Sequence, residues 1–545
     1  MAPVYHLEEV GLRLIDRAAA AGVTQVNTFG GPQKSYIVES TGNGVALLDF
    51  DGDGDLDLFL ANGNTLEGAE RGAPGAPSRL YRNDGRWRFT DVSEAAGVLL
   101  RHWGTGAAAG DLDGDGDPDL LLSAIGRLRL LRNRGDGSFE PVEEVGPLGG
   151  DGLWQSAALF DYDRDGRLDI YAANYLTFDK AEVDAMRGLC NWKGIPVFCG
   201  PRGVPGARHL LLRNAERGFE DVTARAGLDR ADGKGLGVVA ADFDADGWMD
   251  LYVANDSTLS FLYRNRGDGR FEDVSILSGA GYNSAGGAQS GMGADAGDVD
   301  GDLDLDLVKT NFQDDANNLY RNDGELAFTD VASAWGLAEP SYGVLGWAAK
   351  LADFDLDGRL DLFVANGHVY PGVDRLDSGE RYAQRCQLFL NQGERFVEAS
   401  AGFDSALPPR SSRGAAAGDL DGDGDLDLVV VNMDAAPFVF ETQAPDAHHR
   451  LVVELEGVRS NRDAVGARVV VTAGGRRQLR EKSGGGSYLS SGDPRLFFGL
   501  GTATTVDRLE ITWPTGQREV IEKLPADRRI RIREGEGVVA STELR

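Results

Sequence analysis

Apolar residues fall in short runs along most of this chain, and each run is broken by an acidic or turn-forming segment before the next begins. The first set reads Val45-Ala-Leu-Leu48, a stretch of Asp and Gly, Leu56-Asp-Leu-Phe-Leu60, Leu80-Tyr-Arg-Asn83-Asp-Gly85 and Phe89-Thr-Asp91-Val92. Runs of this length predict four short strands, with the Asn-Asp-Gly segment turning into the last of them. Closing strands of the same kind recur at Phe219-Glu-Asp221-Val222, Phe271-Glu-Asp273-Val274 and Phe328-Thr-Asp330-Val331. From 447 to 540 the pattern changes to plain alternation, as in Leu451-Val-Val-Glu-Leu455 and Arg508-Leu-Glu-Ile-Thr-Trp513, which predicts a small all-β domain with one buried face.

The acidic segment is the constant element. Asp-x-Asp-x-Asp-x-x-x-Asp occurs seven times, with starts separated by 62, 50, 81, 56, 55 and 66 residues. Loop positions 1, 3, 5 and 9 are Asp49, Asp51, Asp53 and Asp57; Asp111, Asp113, Asp115 and Asp119; Asp161, Asp163, Asp165 and Asp169; Asp242, Asp244, Asp246 and Asp250; Asp298, Asp300, Asp302 and Asp306; Asp353, Asp355, Asp357 and Asp361; Asp419, Asp421, Asp423 and Asp427. Position 7 varies among Asp55, Asp117, Arg167, Trp248, Asp304, Arg359 and Asp425, so it is predicted to offer its backbone carbonyl. Four carboxylates in so short a loop repel one another without a cation. All-oxygen coordination on a flexible loop suits Ca²⁺ better than Mg²⁺ or Zn²⁺, so up to seven mainly structural Ca²⁺ are expected. Position 6 is Gly in six copies and Leu303 in the fifth. A side chain in a left-handed conformation costs about 1–2 kcal/mol, which makes the 298–306 loop the expected weakest site.

A four-stranded unit repeated seven times predicts a seven-bladed β-propeller over 1–445, followed by the β domain over 446–545. An open solenoid is the alternative, but terminal capping units are not obvious. The seventh unit lacks a Phe-x-Asp-Val strand and the segment around Leu12 to Val23 resembles the end of a unit, so the N terminus is expected to complete the last blade and close the ring.

Composition sharpens this. The 545 residues carry a formal net charge of −32, which disfavours a nucleic-acid partner because phosphates are repelled. Seven Ca²⁺ would reduce that to about −18, so folding is expected to be coupled to calcium. As given, the chain shows neither an apolar run long enough to span a membrane nor a basic-then-apolar signal segment, a pattern expected of a cytoplasmic chain or of a secreted or periplasmic one after trimming. Cys190 and Cys199 flank a Gly- and Pro-rich stretch, for which a disulfide is the leading reading, two free thiols the next and a metal site the last. Cys386 is left over as a small apolar residue.

The seven units resemble FG-GAP or VCBS-type calcium-binding propeller repeats, as in the integrin α-subunit head. The tail segments Asn461-Arg-Asp-Ala-Val-Gly466, Gly484-Gly-Gly-Ser-Tyr488, Phe497-Phe-Gly499-Leu-Gly501 and Ile511-Thr-Trp513-Pro514 resemble the ASPIC/UnbV domain. Together they are similar to the cartilage acidic protein 1 and UnbV family. That resemblance implies a genomic association of some bacterial members with enediyne biosynthesis, which is no proof of chemistry.

If the acidic loop joins strands one and two of a blade, the Asn-Asp-Gly turns share its face and the insertions at 62–79, 174–208 and 366–384 lie on the other. Loops on a rigid scaffold commonly carry function. His102, Trp103, Trp154, Lys234, Trp347, Arg410 and Arg413 precede inner strands, and are expected to line a funnel on that face that would suit an aromatic or anionic small molecule. The alternative is that the Trp residues pack between blades. Arg134-Gly135-Asp136 and Arg266-Gly267-Asp268 stand where other units carry hairpin turns, and are read as turn chemistry rather than adhesion motifs. No Gly-x-Ser-x-Gly, His-Glu-x-x-His or phosphate-binding loop is present, so whether the chain is an enzyme stays open. Two functions are carried forward: a calcium-stabilised propeller that binds a protein, glycan or small molecule over its loop-rich face, and an enzyme or intermediate-binding protein of natural-product biosynthesis acting at a central funnel.

Overall fold

The computed structural model describes residues 11–142, 150–186, 188–377, 379–400 and 408–544. Among the described residues, seven antiparallel four-stranded units follow one another along the chain, and those of blades 2 and 3 are joined into one eight-stranded sheet by the pairing of Gly152 and Leu153 with Gly126 and Ile125. Blade 1 comprises Val45–Leu48, Asp57–Leu60, Arg79–Asn83 and Phe89–Asp91, and the first strands of blades 2 to 7 are Gly104–Gly110, Gly152–Phe160, Gly235–Ala241, Gly291–Gly297, Gly346–Ala352 and Ser412–Gly418. Each first strand packs against the next, and that of blade 7 packs against that of blade 1, so the sheets close into a propeller ring. Blade 7 takes its outer strand from the other end of the chain: Arg13–Asp16 pairs antiparallel with the strand Phe438–Gln443.

These strands form where apolar residues must be buried on both faces between neighbouring blades. Leu58, Phe59, Leu120, Leu121, Leu251 and Leu307 are completely buried, and the space between successive sheets is filled by separate apolar clusters. Toward the axis the side chains shrink to Gly and Ala, as in Gly104-Thr-Gly-Ala-Ala-Ala-Gly110, because seven strands converge there.

The tail is a two-layered β-sandwich. One sheet holds His449–Glu456, Leu496–Gly501, Arg528–Arg533 and Gly537–Glu543; the other holds Arg468–Ala473, Arg476–Glu481, Thr505–Thr512 and Arg518–Pro525. Leu451, Val453, Val469, Val471, Leu509, Trp513 and Ile532 form the core between them.

The sandwich is seated on the ring, and its 484–493 segment enters the axis. Ala107 N–H donates to Leu489 O (3.1 Å), Leu159 N–H to Gly484 O (2.9 Å), Leu47 N–H to Ser491 O (3.0 Å), and Asp493 N–H to Ala417 O (2.9 Å). Ser487 Oγ donates to Ala349 O (2.6 Å). The segment thus hydrogen-bonds to the first strands of blades 1, 2, 3, 6 and 7. Gly44 makes room for it: a Cβ there would stand 1.7 Å from Leu489 O. Gly44→Ala should therefore lower stability by about 1–3 kcal/mol through overpacking, read as a shift in the denaturant midpoint.

Candidate metal centres and partner surface

Each acidic loop is wound by its own carboxylates. In blade 1, Asp49 Oδ1 accepts from Gly52 N–H (2.9 Å) and Asp53 N–H (3.1 Å), and its Oδ2 accepts from Gly54 N–H (2.9 Å). Asp53 Oδ1 accepts from Asp55 N–H (2.9 Å). Position 6 is left-handed in every loop, Gly54 at φ 93° and Leu303 at φ 77° among them. Position 4 is left-handed too, including Arg164, Ala245 and Leu356, a requirement the repeated sequence shows only through Gly in the other four copies.

Position 9 has a second task. Asp57 Oδ2 accepts from Phe50 N–H (3.0 Å) and Oδ1 from Asn83 N–H (2.8 Å), so one carboxylate ties the loop to the third strand. Asn83 then donates through Nδ2 to Leu56 O (3.0 Å) in its own blade and to Leu420 O (2.7 Å) in the neighbouring one. The same latch is built on Asn133, Asn214, Asn265, Asn322 and Asn391, and Thr442 takes the position in blade 7. Sequence reasoning treated Asn83 as turn chemistry, which it also performs by accepting from Gly85 N–H. The missed signal was an Asn at one fixed place in six of seven units.

The carboxylates crowd as ligands would. Single oxygens of Asp49, Asp51 and Asp53 lie within 4.8 Å of one another, as do those of Asp111, Asp113 and Asp115; Asp161, Asp163 and Asp169; Asp242, Asp244 and Asp246; and Asp298, Asp300 and Asp302, with two further groups of the kind. Burial pushes Asp57, Asp306 and Asp353 up to about 8 and Asp119 and Asp161 up to about 7, aided by neighbouring carboxylates. Buried oxygens Asp163 Oδ1, Asp242 Oδ1, Asp353 Oδ1 and Asp425 Oδ1 have no hydrogen-bond partner. A donor set of crowded, partly orphaned carboxylates with raised proton affinity fits a hard divalent cation, which would supply the missing positive charge. At position 7 the Arg167 and Arg359 side chains turn back to Asn214 O (2.7 Å) and Asn391 O (2.6 Å), clear of a ligand role. Arg213, Arg264 and Arg132 approach position 3 from the third strand and offset part of the loop charge.

The seven residues expected to line a funnel do not share one open surface. Trp347 is 2% exposed, donates from Nε1 to Gly367 O (2.8 Å), and lies between the Arg413 guanidinium (4.1 Å) and the Tyr488 ring (5.0 Å). Arg413 is fully buried and donates to the carbonyls of Ser40, Ser412 and His368. Trp103 packs edge-on against Phe29, Trp154 is buried, and Lys234 Nζ donates to Pro201 O (2.6 Å). Both ring nitrogens of His102 are buried without a partner, and burial pulls its pKa down to about 4; Arg410 is exposed. The tail loop and the apolar cluster around Tyr175, Leu176 and Tyr370 fill the axis instead.

What does stand out on the insertion side is the segment closed by the Cys190–Cys199 disulfide. Its short hairpin, Asn191–Trp192 with Ile195–Pro196, carries half-buried Trp192 against Phe312 (5.2 Å) and His368 (5.8 Å). Lys193 pairs with Asp314 (2.7 Å) and Glu380, and Leu189 is 78% exposed beside it. Cys386 is buried and unpaired with another cysteine.

The chain carries FG-GAP-like repeats and an ASPIC and UnbV domain: the FG-GAP-like repeat family matches residues 49–122, 121–172 and 242–309, within the ring of acidic hairpins, and the ASPIC and UnbV family matches 457–539, within the β-sandwich. Among individual proteins it is similar to cartilage acidic protein 1 of Homo sapiens, 27% identical over 502 residues, covering 87% of this chain and 69% of that protein. The Xenopus tropicalis protein of the same name is 27% identical over 514 residues, with 87% and 70% covered. A solved structure of an Agrocybe aegerita lectin that recognises non-reducing terminal N-acetylglucosamine aligns at a TM-score of 0.37 and 18% identity, over 68% of this chain and 88% of that one. Among the described residues no helix is long and apolar enough to cross a membrane.

Two outcomes follow from these placements. Trp347→Ala should destabilise the fold by about 3–5 kcal/mol, measured by chemical denaturation, as for other buried aromatics. In chelator, carboxyls held at 6 to 8 in the folded state against 3.8 when unfolded bind more protons folded than unfolded. The melting temperature of the ion-free protein should therefore rise as pH falls from 8 toward 4, whereas with saturating calcium it should fall as protons displace the ion.

Proposed function

We propose that the protein is a calcium-stabilised propeller that binds a protein partner over the insertion face, with the disulfide-closed segment at 190–199 as the contact centre. The observation that carries this reading is the division of surfaces: the tail occupies the acidic-loop face and the axis, while the insertion side bears a covalently braced hairpin with half-buried Trp192 and ion-paired Lys193, and exposed Leu189 beside it. Trp is among the residue types that dominate protein interfaces. The exposed apolar surface at Leu189 beside the hairpin favours a protein over a small molecule. Calcium at the seven loops would act by holding each blade's first hairpin, and so the platform on which the insertions stand.

The test is capture of binding proteins by the immobilised, calcium-loaded full chain, with Trp192→Ala as comparison. Removal of a central aromatic should weaken capture by about 2 kcal/mol or more, roughly thirtyfold, at a temperature where circular dichroism shows the variant folded. Equal capture by the variant would reject the hairpin as the contact centre.

A further inference from the structure

The tail and the acidic loops meet through the loop backbone. Residues 446–545 hold 17 Arg and Lys against 14 Asp and Glu, a net of +3, so the remaining 445 residues carry −35. This basic domain sits on the acidic face, yet much of its contact is with main-chain atoms whose positions exist only while each loop keeps its winding. Asp463 Oδ2 accepts from Asp111 N–H (2.9 Å), Glu481 Oε1 from Asp242 N–H (3.0 Å) and Asp493 Oδ2 from Asp419 N–H (3.1 Å), in blades 2, 4 and 7. Arg529 donates to Gly54 O (3.1 Å), Arg468 to Leu303 O (3.0 Å) and Arg476 to Asp357 O (2.9 Å), in blades 1, 5 and 6. Six of seven loops are therefore read at positions 1, 5 or 6, which are the turns that the crowded carboxylates must hold against their own repulsion. A cavity of about 430 Å³ lies within this junction, lined by Asp353, Glu481, Lys482 and Arg495.

We infer that the ASPIC and UnbV domain is docked by calcium: ion binding fixes the loop backbones, the fixed backbones present the N–H and C=O groups that the tail requires, and docking in turn tightens the ions. This rests on the calcium reading given above. By linkage, whatever calcium does for docking, docking does for calcium by the same factor.

The sign separates the inference from simple charge effects. Removing a cation near a loop raises calcium affinity by Coulomb attraction alone, whereas losing a docking contact lowers it. Calcium titration of full-length Arg476→Ala/Arg529→Ala, followed by calorimetry, is expected to show affinity about tenfold weaker at the coupled loops. Hydrogen exchange under subsaturating calcium should be faster at Leu489, Ser491 and Asp493, whose N–H groups bond Ser156 Oγ, Val45 O and Ala417 O, while Leu307 and Val308 within a blade stay protected. A variant that binds calcium as well as or better than the parent overturns the inference and leaves the calcium reading standing. A parent chain that takes up no calcium overturns both.

Discussion

One carboxylate in each blade decides whether the blade exists. The Asp at loop position 9 sits at the start of the second strand, accepts from the loop's second residue on one oxygen and from the third strand on the other, and is buried in doing so. The second and third strands and the loop are thereby held by a single side chain, and the Asn it orients reaches the loop of the neighbouring blade. A buried carboxylate is costly unless hydrogen-bonded and compensated in charge. The hydrogen bonds come from the backbone, and the remaining charge is what a bound cation would offset, once in each loop around the ring.

The repeat and its strands were legible because they are local: period, turn residues and fixed Asp spacing all lie within a few tens of residues, and the left-handed conformation of Leu303 follows from its alignment with Gly54. The latch was half legible. Asn83 stands beside an obvious turn, and its bond to Leu420 O spans 337 residues that only the closed ring brings together. The tail's position was not legible at all. Gly484-Gly-Gly486 reads as a turn, and nothing in its composition says that it will lie between first strands from five blades. The Gly- and Ala-rich first strands were the indirect sign, since an axis lined by such small residues leaves room for another segment.

That filled axis also explains the fate of the aromatic residues expected at a funnel. Trp347 and Arg413 do face the centre of the ring, as their position ahead of inner strands implied, but the centre is occupied by Tyr488, whose Oη donates to Thr41 O (2.7 Å). Face assignment from chain tracing and accessibility are separate questions. The first follows from strand order; the second depends on a segment more than a hundred residues downstream of Trp347.

Ring closure by Arg13–Asp16 has a temporal side. Arg17, next to that strand, finds Glu441 across 424 residues, and at synthesis rates of about 5–20 residues per second the partner strand emerges roughly 20–85 s after the first has left the ribosome. For that interval Arg13–Asp16 waits as an unpaired edge strand until blade 7 is made, and the tail that fills the axis follows later still. The Arg13–Asp16 strand and the tail sandwich therefore both find their places only after most of the ring has been synthesised.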